Sequence, residues 1–316
     1  MSSEILDLFA ELRYNPRAAR SWPQQQTRSA PHAIPAMTPR NPGDDPPAAH
    51  LRVDPGGSWH DAGMASPRIE FESDVFSPTG LTLLVDGAAQ SHVDPHDPTR
   101  LFFEYVRRIG HVLDVLRPAG EPIRALHLGG GALTIPRYVA ATRPGSVQVV
   151  AEHDAEVVET VLARLPLPED ADIEVLVADA RDVLAPLTGG RPFDVVVVDL
   201  YTALDAPAFV DEPEFMGGCL ALLAPGGLVV VNVADAPGLT RLRAQARALA
   251  RADPGADLLV AGDPSVLSGA DEGNAILVAA PGGLPPGLEE RLDAAGPFPA
   301  AVLTGHRLDA ALWGAC

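Results

Sequence analysis

Three consecutive glycines follow an apolar run and lead into a helical pattern in the stretch IRALHLGGGALTIPRYVAA. Glycine lets the backbone approach a ligand closely, and the first amides of a following helix can point toward a bound group. Glu152 comes 21 positions (152 − 131) after the last glycine. An acid about 20 residues after such a loop can accept the two hydroxyls of a ribose. Gly129, Gly130, Gly131 and Glu152 therefore predict a site for a nucleoside.

Two further acidic residues stand where strand-like apolar runs end. Asp179 follows IEVLVA, and Asp199 follows FDVVVV. In an open α/β sheet, ligands bind outside the carboxyl ends of the strands, so we expect both side chains beside the glycines. Asp179 would accept a hydrogen bond from an adenine amino group, and Asp199 would face the reacting end of the ligand. Four such signals along one sheet edge indicate a nucleoside-bearing ligand.

The elements that position these residues alternate strictly between strand and helix. Val- and Leu-rich strands that alternate with helical patterns are typical of a parallel sheet covered on both faces. Near the end of the sequence, ADLLVAG and NAILVAA predict a closing antiparallel pair, which is more typical of S-adenosylmethionine (SAM) enzymes. Thr134 also stands where a dinucleotide fingerprint would place its third glycine. The predicted fold class is α/β, a doubly wound, Rossmann-like sheet of the SAM-methyltransferase type.

The chain is predicted to have three parts. Residues 1–65 are rich in Pro, Gln and Ala and show little apolar periodicity, which predicts a disordered extension. Short strand-like runs broken by turn signals over 66–96 predict a small N-terminal antiparallel β region. Residues 97–316 are predicted to form the Rossmann-like, SAM-binding catalytic domain. It begins with a helix that has Asp97 as its N-cap and Pro98 at its first position.

Composition excludes several function classes. The net charge of −19 argues against a nucleic-acid partner, which would need a basic surface. The sequence has no lysine for a Schiff base, a pyridoxal phosphate linkage or a P-loop. Neither the nine histidines nor the two cysteines show metal-binding spacing, so we expect no metal. No apolar run reaches the length of a membrane helix and no stretch resembles a signal peptide, so we expect a cytoplasmic protein without membrane contact.

Taken in order, LHLGGGALTIPR, VVAEHDAEVVE, VLVADARDVL and FDVVVVDLYTALDAPAFVDEPEF resemble the spermidine synthase (polyamine aminopropyltransferase) family. The similarity runs from about residue 80 to residue 233 and includes DGAAQSHVD, which resembles the glutamine-bearing strand of that family. The family transfers an aminopropyl group from decarboxylated SAM to a diamine. The resemblance implies that Gln90 contacts the donor, that Glu152 binds its ribose and that Asp179 binds its adenine. It also implies that Asp199 orients and deprotonates the attacking amine.

The chain departs from the family pattern on both sides of this site. Ala132 stands where the family has an aspartate that contacts the amino group of the donor, and this loss predicts weaker discrimination against ordinary SAM. Phe102 and Phe103 replace a Tyr-His pair, so we expect the acceptor site to suit a polyamine less well. The residues that the resemblance leaves on the acceptor side are Glu104, Tyr201 and Asp205.

The resulting hypothesis is a spermidine-synthase-like transferase. It would move an aminopropyl or related alkyl group from decarboxylated SAM or SAM to a small amine acceptor, with Asp199 as the base. Two alternatives stay open at this point: a SAM-dependent methyltransferase, and a non-catalytic nucleoside-binding member of the fold. The resemblance also implies a homodimer built partly through the small β region.

Overall fold

One mixed sheet of nine strands organises the part of the chain that the computed structural model describes, residues 51–53, 67–201 and 206–314. In spatial order the strands are β1 (Leu51–Val53), β7 (Asp172–Val177), β6 (Val147–Glu152), β5 (Arg124–Leu128), β8 (Phe193–Val198), β9 (Leu223–Asp235), β11 (Gly273–Ala280), β10 (Asp257–Gly262) and β12 (Ala301–Thr304). Neighbouring strands are parallel from β1 to β9 and antiparallel from β9 to β12. The closing antiparallel pair expected from the sequence is β10 with β11.

A separate antiparallel sheet, called the small sheet below, is formed by three described strands. These are β2 (Ile69–Ser73), β3 (Leu81–Val85) and β4 (Ala88–Val93). Asp86 and Gly87 join β3 to β4 with φ angles of 52° and 79°, the positive values that a tight two-residue hairpin requires. The register shifts by one residue between Leu83 and Leu84, which makes Gln90 the extra residue of a β-bulge in β4.

Helices cover both faces of the large sheet. They are α1 (Glu104–Val115), α2 (Thr134–Thr142), α3 (Ala155–Arg164), α4 (Ala180–Leu187), α5 (Pro213–Ala221), α6 (Thr240–Ala252), α7 (Pro264–Leu267), α8 (Leu288–Ala295) and α9 (Gly305–Trp313). One face packs against α1, α2, α3 and α8, and the other packs against α4, α5, α6 and α9. The doubly wound, Rossmann-like fold class and its small antiparallel β region are thus confirmed.

The central strands are buried on both faces because nearly every position is apolar. In β8, which reads FDVVVV, Val195 and Val197 pack into the core under α1, whereas Val196 and Val198 pack into the core under α5 and α6. Burying a side chain of this size completely contributes about 1.5–3 kcal/mol. The valine run therefore stabilises a core on each side of the sheet.

Two sequence expectations about the first hundred residues need correction. The first helix begins at Glu104, not at Pro98, because the Asp97 side chain closes a turn instead of capping the helix. Its Oδ1 accepts hydrogen bonds from Thr99 N at 3.2 Å and from Thr99 Oγ1 at 2.5 Å. Within the expected extension, 1–65, Leu51–Val53 forms β1, which pairs with β7 and was not expected from the sequence pattern. The rest of that extension lies outside the described residues.

The order of the parallel strands reverses between β5 and β8. From β5 the chain winds outward through β6 to β7 and then returns to place β8 on the other side of β5. Connections that diverge in this way leave a crevice at the carboxyl ends of the two strands, where ligands bind. Gly129 follows β5 and Asp199 follows β8, so both stand at this crevice.

Candidate active site

The loop after β5 passes so close to the end of β8 that only glycine fits at its first position. Gly129 has a φ of 97°, and a Cβ added to it would lie 2.1 Å from the backbone oxygen of Asp199. Asp199 N donates to Leu128 O and Gly129 N donates to Ala151 O, both at 2.8 Å. The backbone ladder of the sheet therefore continues into the loop and fixes the distance between the two strand ends.

Glu152, the last residue of β6, binds the glycine loop through its carboxylate. Its Oε2 accepts hydrogen bonds from Gly130 N at 2.8 Å and from Gly131 N at 3.4 Å. These amides point at Glu152, which corrects the expectation that they point at a ligand. The other carboxylate oxygen, Oε1, accepts from Asp154 N at 3.1 Å and lies 3.0 Å from His153 Nδ1.

The contacts of Glu152 keep it ionised. Burial alone would raise the pKa of Glu152, but hydrogen bonds from His153, Gly130 N and Asp154 N outweigh burial and lower the pKa. The His153 side chain is 73% exposed, whereas the other donors are backbone amides. The His153 contact is therefore the one that a ribose hydroxyl could replace without moving the main chain.

Asp179 caps α4 and is held by Arg181. Its Oδ1 accepts from Arg181 N at 2.8 Å and Nε at 3.0 Å, and its Oδ2 accepts from Arg181 Nη2 at 2.9 Å. The hydrogen bond from the Arg181 side chain lowers the pKa of Asp179. The guanidinium of Arg181 also lies 4.6 Å from the centroid of the Phe209 ring. Because a carboxylate has about four acceptor positions, Asp179 retains capacity on Oδ2 for an adenine amino group.

Asp199 has partners from two elements that enclose the crevice. Its Oδ1 accepts from Asn232 Nδ2 of β9 at 2.8 Å, and the phenol of Tyr105 from α1 also hydrogen-bonds to its carboxyl group. Burial raises the pKa of Asp199 to about 6, opposed by the hydrogen bonds from Asn232 and Tyr105 and reinforced by the charge of Glu152. A carboxyl group with this pKa can take up and release a proton near neutral pH.

Tyr105 is a site residue that sequence reasoning missed, because its helical spacing placed it among the apolar residues of the first helix. In the structure its ring stacks on Phe103, with centroids 6.1 Å apart and planes at 13°. Burial, together with the charge of Asp199, raises the pKa of Tyr105 well above its usual value, so the phenol stays a hydrogen-bond donor. The available signal was a tyrosine on an otherwise apolar helix face, since a buried phenol needs a polar partner.

Gln90 lies in the strand that covers the glycine loop. Its neighbour Ser91 lies against Gly131, where an added Cβ would come within 3.2 Å of Ser91 Cβ. Ser91 Oγ is 2.9 Å from Thr134 Oγ1, which donates to His92 O at 2.8 Å. Among the described residues, the buried Gln90 Nε2 has no hydrogen-bond partner. A buried amide nitrogen without a partner, in the residue next to the one that contacts this loop, fits the expected contact with a donor.

The structure does not bring the expected acceptor-side residues together. Glu104 begins α1, where its exposed side chain pairs with Arg108 at 3.2 Å. The Tyr201 hydroxyl accepts from Gln245 Nε2 at 3.2 Å, which directs it toward α6. Asp205 lies outside the described residues.

The described part of the chain has no cluster of metal ligands, no reactive thiol and no membrane-spanning helix. No group of three or more His, Cys, Asp or Glu side chains there is arranged to hold a metal ion. Cys219 is fully buried on α5, and burial raises the pKa of its thiol to about 12. None of the described helices is long and apolar enough to cross a membrane.

Comparison with known proteins agrees with this architecture. No protein-family model matches the chain, and no curated protein matches it. Among solved structures, a probable spermidine synthase from Corynebacterium glutamicum ATCC 13032 matches with a TM-score of 0.69 and 27% sequence identity, over 79% of this chain and 91% of that chain. The chain is a divergent spermidine synthase-like protein. Spermidine synthase from Thermotoga maritima shares the fold, with a TM-score of 0.51 and 20% identity over 73% of this chain and 74% of that chain.

The glycine loop of this spermidine synthase-like chain differs from expectation at Ala132. The Ala132 side chain is fully buried in an apolar cluster that includes Leu83 and Val93 of the small sheet. Position 132 therefore faces the small sheet and not the open crevice. This corrects the expectation that its side chain lies beside the tail of the donor.

The two phenylalanines in place of the Tyr-His pair belong to an aromatic cluster at the start of α1. Phe102 stacks on His92, with centroids 4.5 Å apart, and Phe103 meets His92 edge-on at 6.5 Å. His92 Nε2 lies 3.1 Å from Asp74 Oδ2, and burial lowers the pKa of His92. This cluster joins the small sheet to the helix that carries Tyr105.

Proposed function

We propose that this chain is a transferase that moves an aminopropyl or related alkyl group from decarboxylated SAM or SAM to a small amine, with Asp199 as the base. One observation carries the proposal: Asp199, whose carboxyl group has a pKa of about 6, stands at the reversal point of the sheet, where its backbone oxygen lies against Gly129 of the glycine loop. The spermidine synthase-like fold supports the same chemistry.

Three features fit the adenosyl end of such a donor. Glu152 is ionised and has one displaceable contact, to the exposed His153. Asp179 retains an acceptor position at the next strand end. Gln90 Nε2, in the residue before Ser91, is buried and has no partner among the described residues. We infer that these three side chains bind the ribose, the adenine and the donor tail respectively.

The reaction requires a base because an ammonium group has no lone pair. Asp199 accepts the proton of the acceptor ammonium, and the freed amine attacks the carbon bonded to the sulfonium sulfur. A C–N bond forms, the C–S bond breaks, and its electron pair stays on sulfur as a neutral thioether. Tyr105 and Asn232 hold the Asp199 carboxyl in place. The shift from 3.8 to about 6 makes Asp199 a stronger base than an ordinary aspartate by about 100-fold.

A second candidate is methyl transfer from ordinary SAM. Its support is the glycine loop, which from Gly129 to Thr134 is described completely and has no acidic side chain that would repel the carboxylate of SAM. The two candidates share Glu152, Asp179 and Asp199 and differ in the donor that binds better.

Calorimetric titration with SAM, decarboxylated SAM and methylthioadenosine tests both candidates. We expect the affinity of Asp199→Asn for the donor to stay within a few-fold of that of the unsubstituted chain. Its turnover with amines is expected to fall by about 100-fold or more, the usual contribution of a general base. Preference for decarboxylated SAM would support aminopropyl transfer, and preference for SAM would support methyl transfer.

Asp170→Asn makes the same chemical change at an exposed turn and is expected to alter neither binding nor turnover. Equal loss of binding and turnover in Asp199→Asn would mean that Asp199 holds the donor and is not the base. Donor binding without turnover of any amine offered would favour a non-catalytic member of the fold. Failure of all three ligands to bind would refute both transfer reactions.

A further inference from the structure

Three polar side chains end apolar rows on the sheet face that α1 covers. Along β8, β9 and β11, every second side chain points to this face and packs in the core under α1. The next side chain in each of these series, at the edge of the sheet, is polar: Asp199, Asn232 and Asn274. Because β11 is antiparallel to β9, its first residues meet the last residues of β9. Asn274 pairs with Ala234, and Asn232 pairs with Ile276. The three polar side chains are thus neighbours on one face, at one edge of the sheet.

A directional chain of hydrogen bonds joins these side chains. Asn274 Nδ2 donates to Asn232 Oδ1 at 3.0 Å, and Asn232 Nδ2 donates to Asp199 Oδ1 at 2.8 Å. Asn232 is only 2% exposed, so water cannot readily replace either partner. An asparagine amide has a donor end and an acceptor end, which exchange places when the side chain turns by half a rotation. A partner that donates to Asn232 Oδ1, as Asn274 does, therefore favours the orientation in which Nδ2 meets Asp199.

We propose that Asn274 is a positioning residue that keeps the donor end of the Asn232 amide toward Asp199 and so favours the ionised carboxylate. The catalytic consequence rests on the proposed function, in which that carboxylate is the base. The polarity of the hydrogen-bond chain does not rest on the proposed function, because residues of this chain alone form it.

Other groups around Asp199 do not set this polarity. The titratable side chains that act on it are Tyr105 from α1, Glu152 at the end of β6 and Tyr201 after β8. The charge of Glu152 favours the neutral acid, and the Tyr105 hydrogen bond favours the anion. The Asn232 amide is uncharged, so its effect on Asp199 changes sign when the amide turns. A single substitution at Asn274 can therefore reverse it.

The test is an NMR titration of the aspartate side-chain carboxyl carbons in the ligand-free full chain, with the Asp199 signal identified by its absence in Asp199→Asn. In Asn274→Asp the new carboxylate only accepts hydrogen bonds, so Asn232 is expected to turn and present Oδ1 to Asp199. We expect the titration midpoint of Asp199 to rise by about one pH unit or more, a tenfold gain in proton affinity. Asn274→Ala removes the donor without reversing the amide, and we expect a rise of about half a unit.

Asn232→Leu separates reversal of the amide from direct charge repulsion. In the Asn232→Leu background no amide remains to turn. Adding Asn274→Asp there is expected to move the midpoint of Asp199 by less than half of the shift that Asn274→Asp causes on its own. An equal shift in both backgrounds would assign the effect to charge alone and overturn the proposal. An unmoved midpoint in folded Asn274→Asp would also overturn it, and if that variant does not fold, an unmoved midpoint in Asn274→Ala would do so.

The titration requires neither donor nor acceptor, so its result stands whether or not transfer activity is found. Where transfer is measurable, the acidic limb of the pH–rate profile in Asn274→Asp is expected to move with the midpoint. If the Asp199 midpoint moves and the pH–rate profile does not, Asn274 positions the Asn232 amide as proposed, but Asp199 is not the base.

Discussion

The Asp199 carboxyl group is destabilising at neutral pH, because burial raises its pKa from 3.8 to about 6. Well below pH 3.8 the group is protonated in both the folded and the unfolded state, so the shift has no effect on stability. As the pH rises from about 4 to about 6, the unfolded state loses its proton first and the free energy of unfolding falls. Well above pH 6 the loss is constant at about 3 kcal/mol, from 1.36 kcal/mol per pKa unit.

Asp199→Asn should therefore stabilise the protein in a pH-dependent way. Asparagine keeps an acceptor for Asn232 and Tyr105 but carries no charge. We expect the free energy of unfolding in urea to rise by up to about 3 kcal/mol at pH 8 and by about a third of that at pH 4.5. Asp170→Asn, at an exposed turn, serves as the control and should show no such trend. A gain at pH 4.5 as large as the gain at pH 8 would contradict the raised pKa.

At the scale of elements, the connection from β5 to α2 sets the spacing of the crevice. Gly129 and Gly189 both have positive φ angles, 97° and 82°. A Cβ at Gly129 would lie 2.1 Å from the backbone oxygen of Asp199, whereas a Cβ at Gly189 would meet nothing within 4 Å. Comparing substitutions at these two glycines therefore distinguishes the cost of a strained backbone from the cost of a collision with the end of β8.

Gly129→Ala is expected to cost at least about 3 kcal/mol in urea denaturation or to prevent folding, since it adds a collision to the strain of the left-handed conformation. Gly189→Ala has only the conformational strain, about 1–2 kcal/mol. Equal losses in the two variants would mean that the end of β8 can move aside, and that the two strand ends are not held at a fixed distance.

The alternation of elements and the acids at strand ends were predictable from the sequence because they depend on local patterns. The valine runs, the glycine turn and the closing pair of β10 and β11 all followed from the spacing of residue types. The spacing of residue types did not predict that the Gly130 amide points toward Glu152 or that Tyr105 contacts Asp199. Both depend on contacts between residues far apart in the sequence. The predicted helix start at Asp97 was wrong because an aspartate before proline can cap a helix or close a turn equally well.

At the scale of the whole molecule, the small sheet supports the glycine loop. Leu83 of β3 is fully buried in the same cluster as Ala132 and Leu133 of the loop and Val157 of α3. Ser91 and Thr134 add polar contacts between β4 and the start of α2. The loop is therefore held from one side by the large sheet and from the other side by the small sheet.

Leu83→Ala should loosen the loop as well as destabilise the fold. We expect a loss of about 2–5 kcal/mol on unfolding and, in the folded protein, at least a several-fold loss of adenosyl-donor affinity by calorimetry. Leu249→Ala, on α6 across the large sheet, removes an equally buried leucine and should cost similar stability with donor affinity unchanged. Equal affinity in the two variants would show that the small sheet does not support the loop in binding.

The burial of Ala132 also constrains how a preference between donors could be rewritten. Introducing Ala132→Asp would place a carboxylate among Leu83, Val93 and the rest of that cluster, where an ionised group without a partner is strongly unfavourable. The substitution would first be a folding defect, whatever it did to specificity. An acidic loop would be reached from this sequence only after residues of the small sheet had changed. Engineering of the donor site therefore has to begin in a neighbouring layer of the protein, ahead of the loop itself.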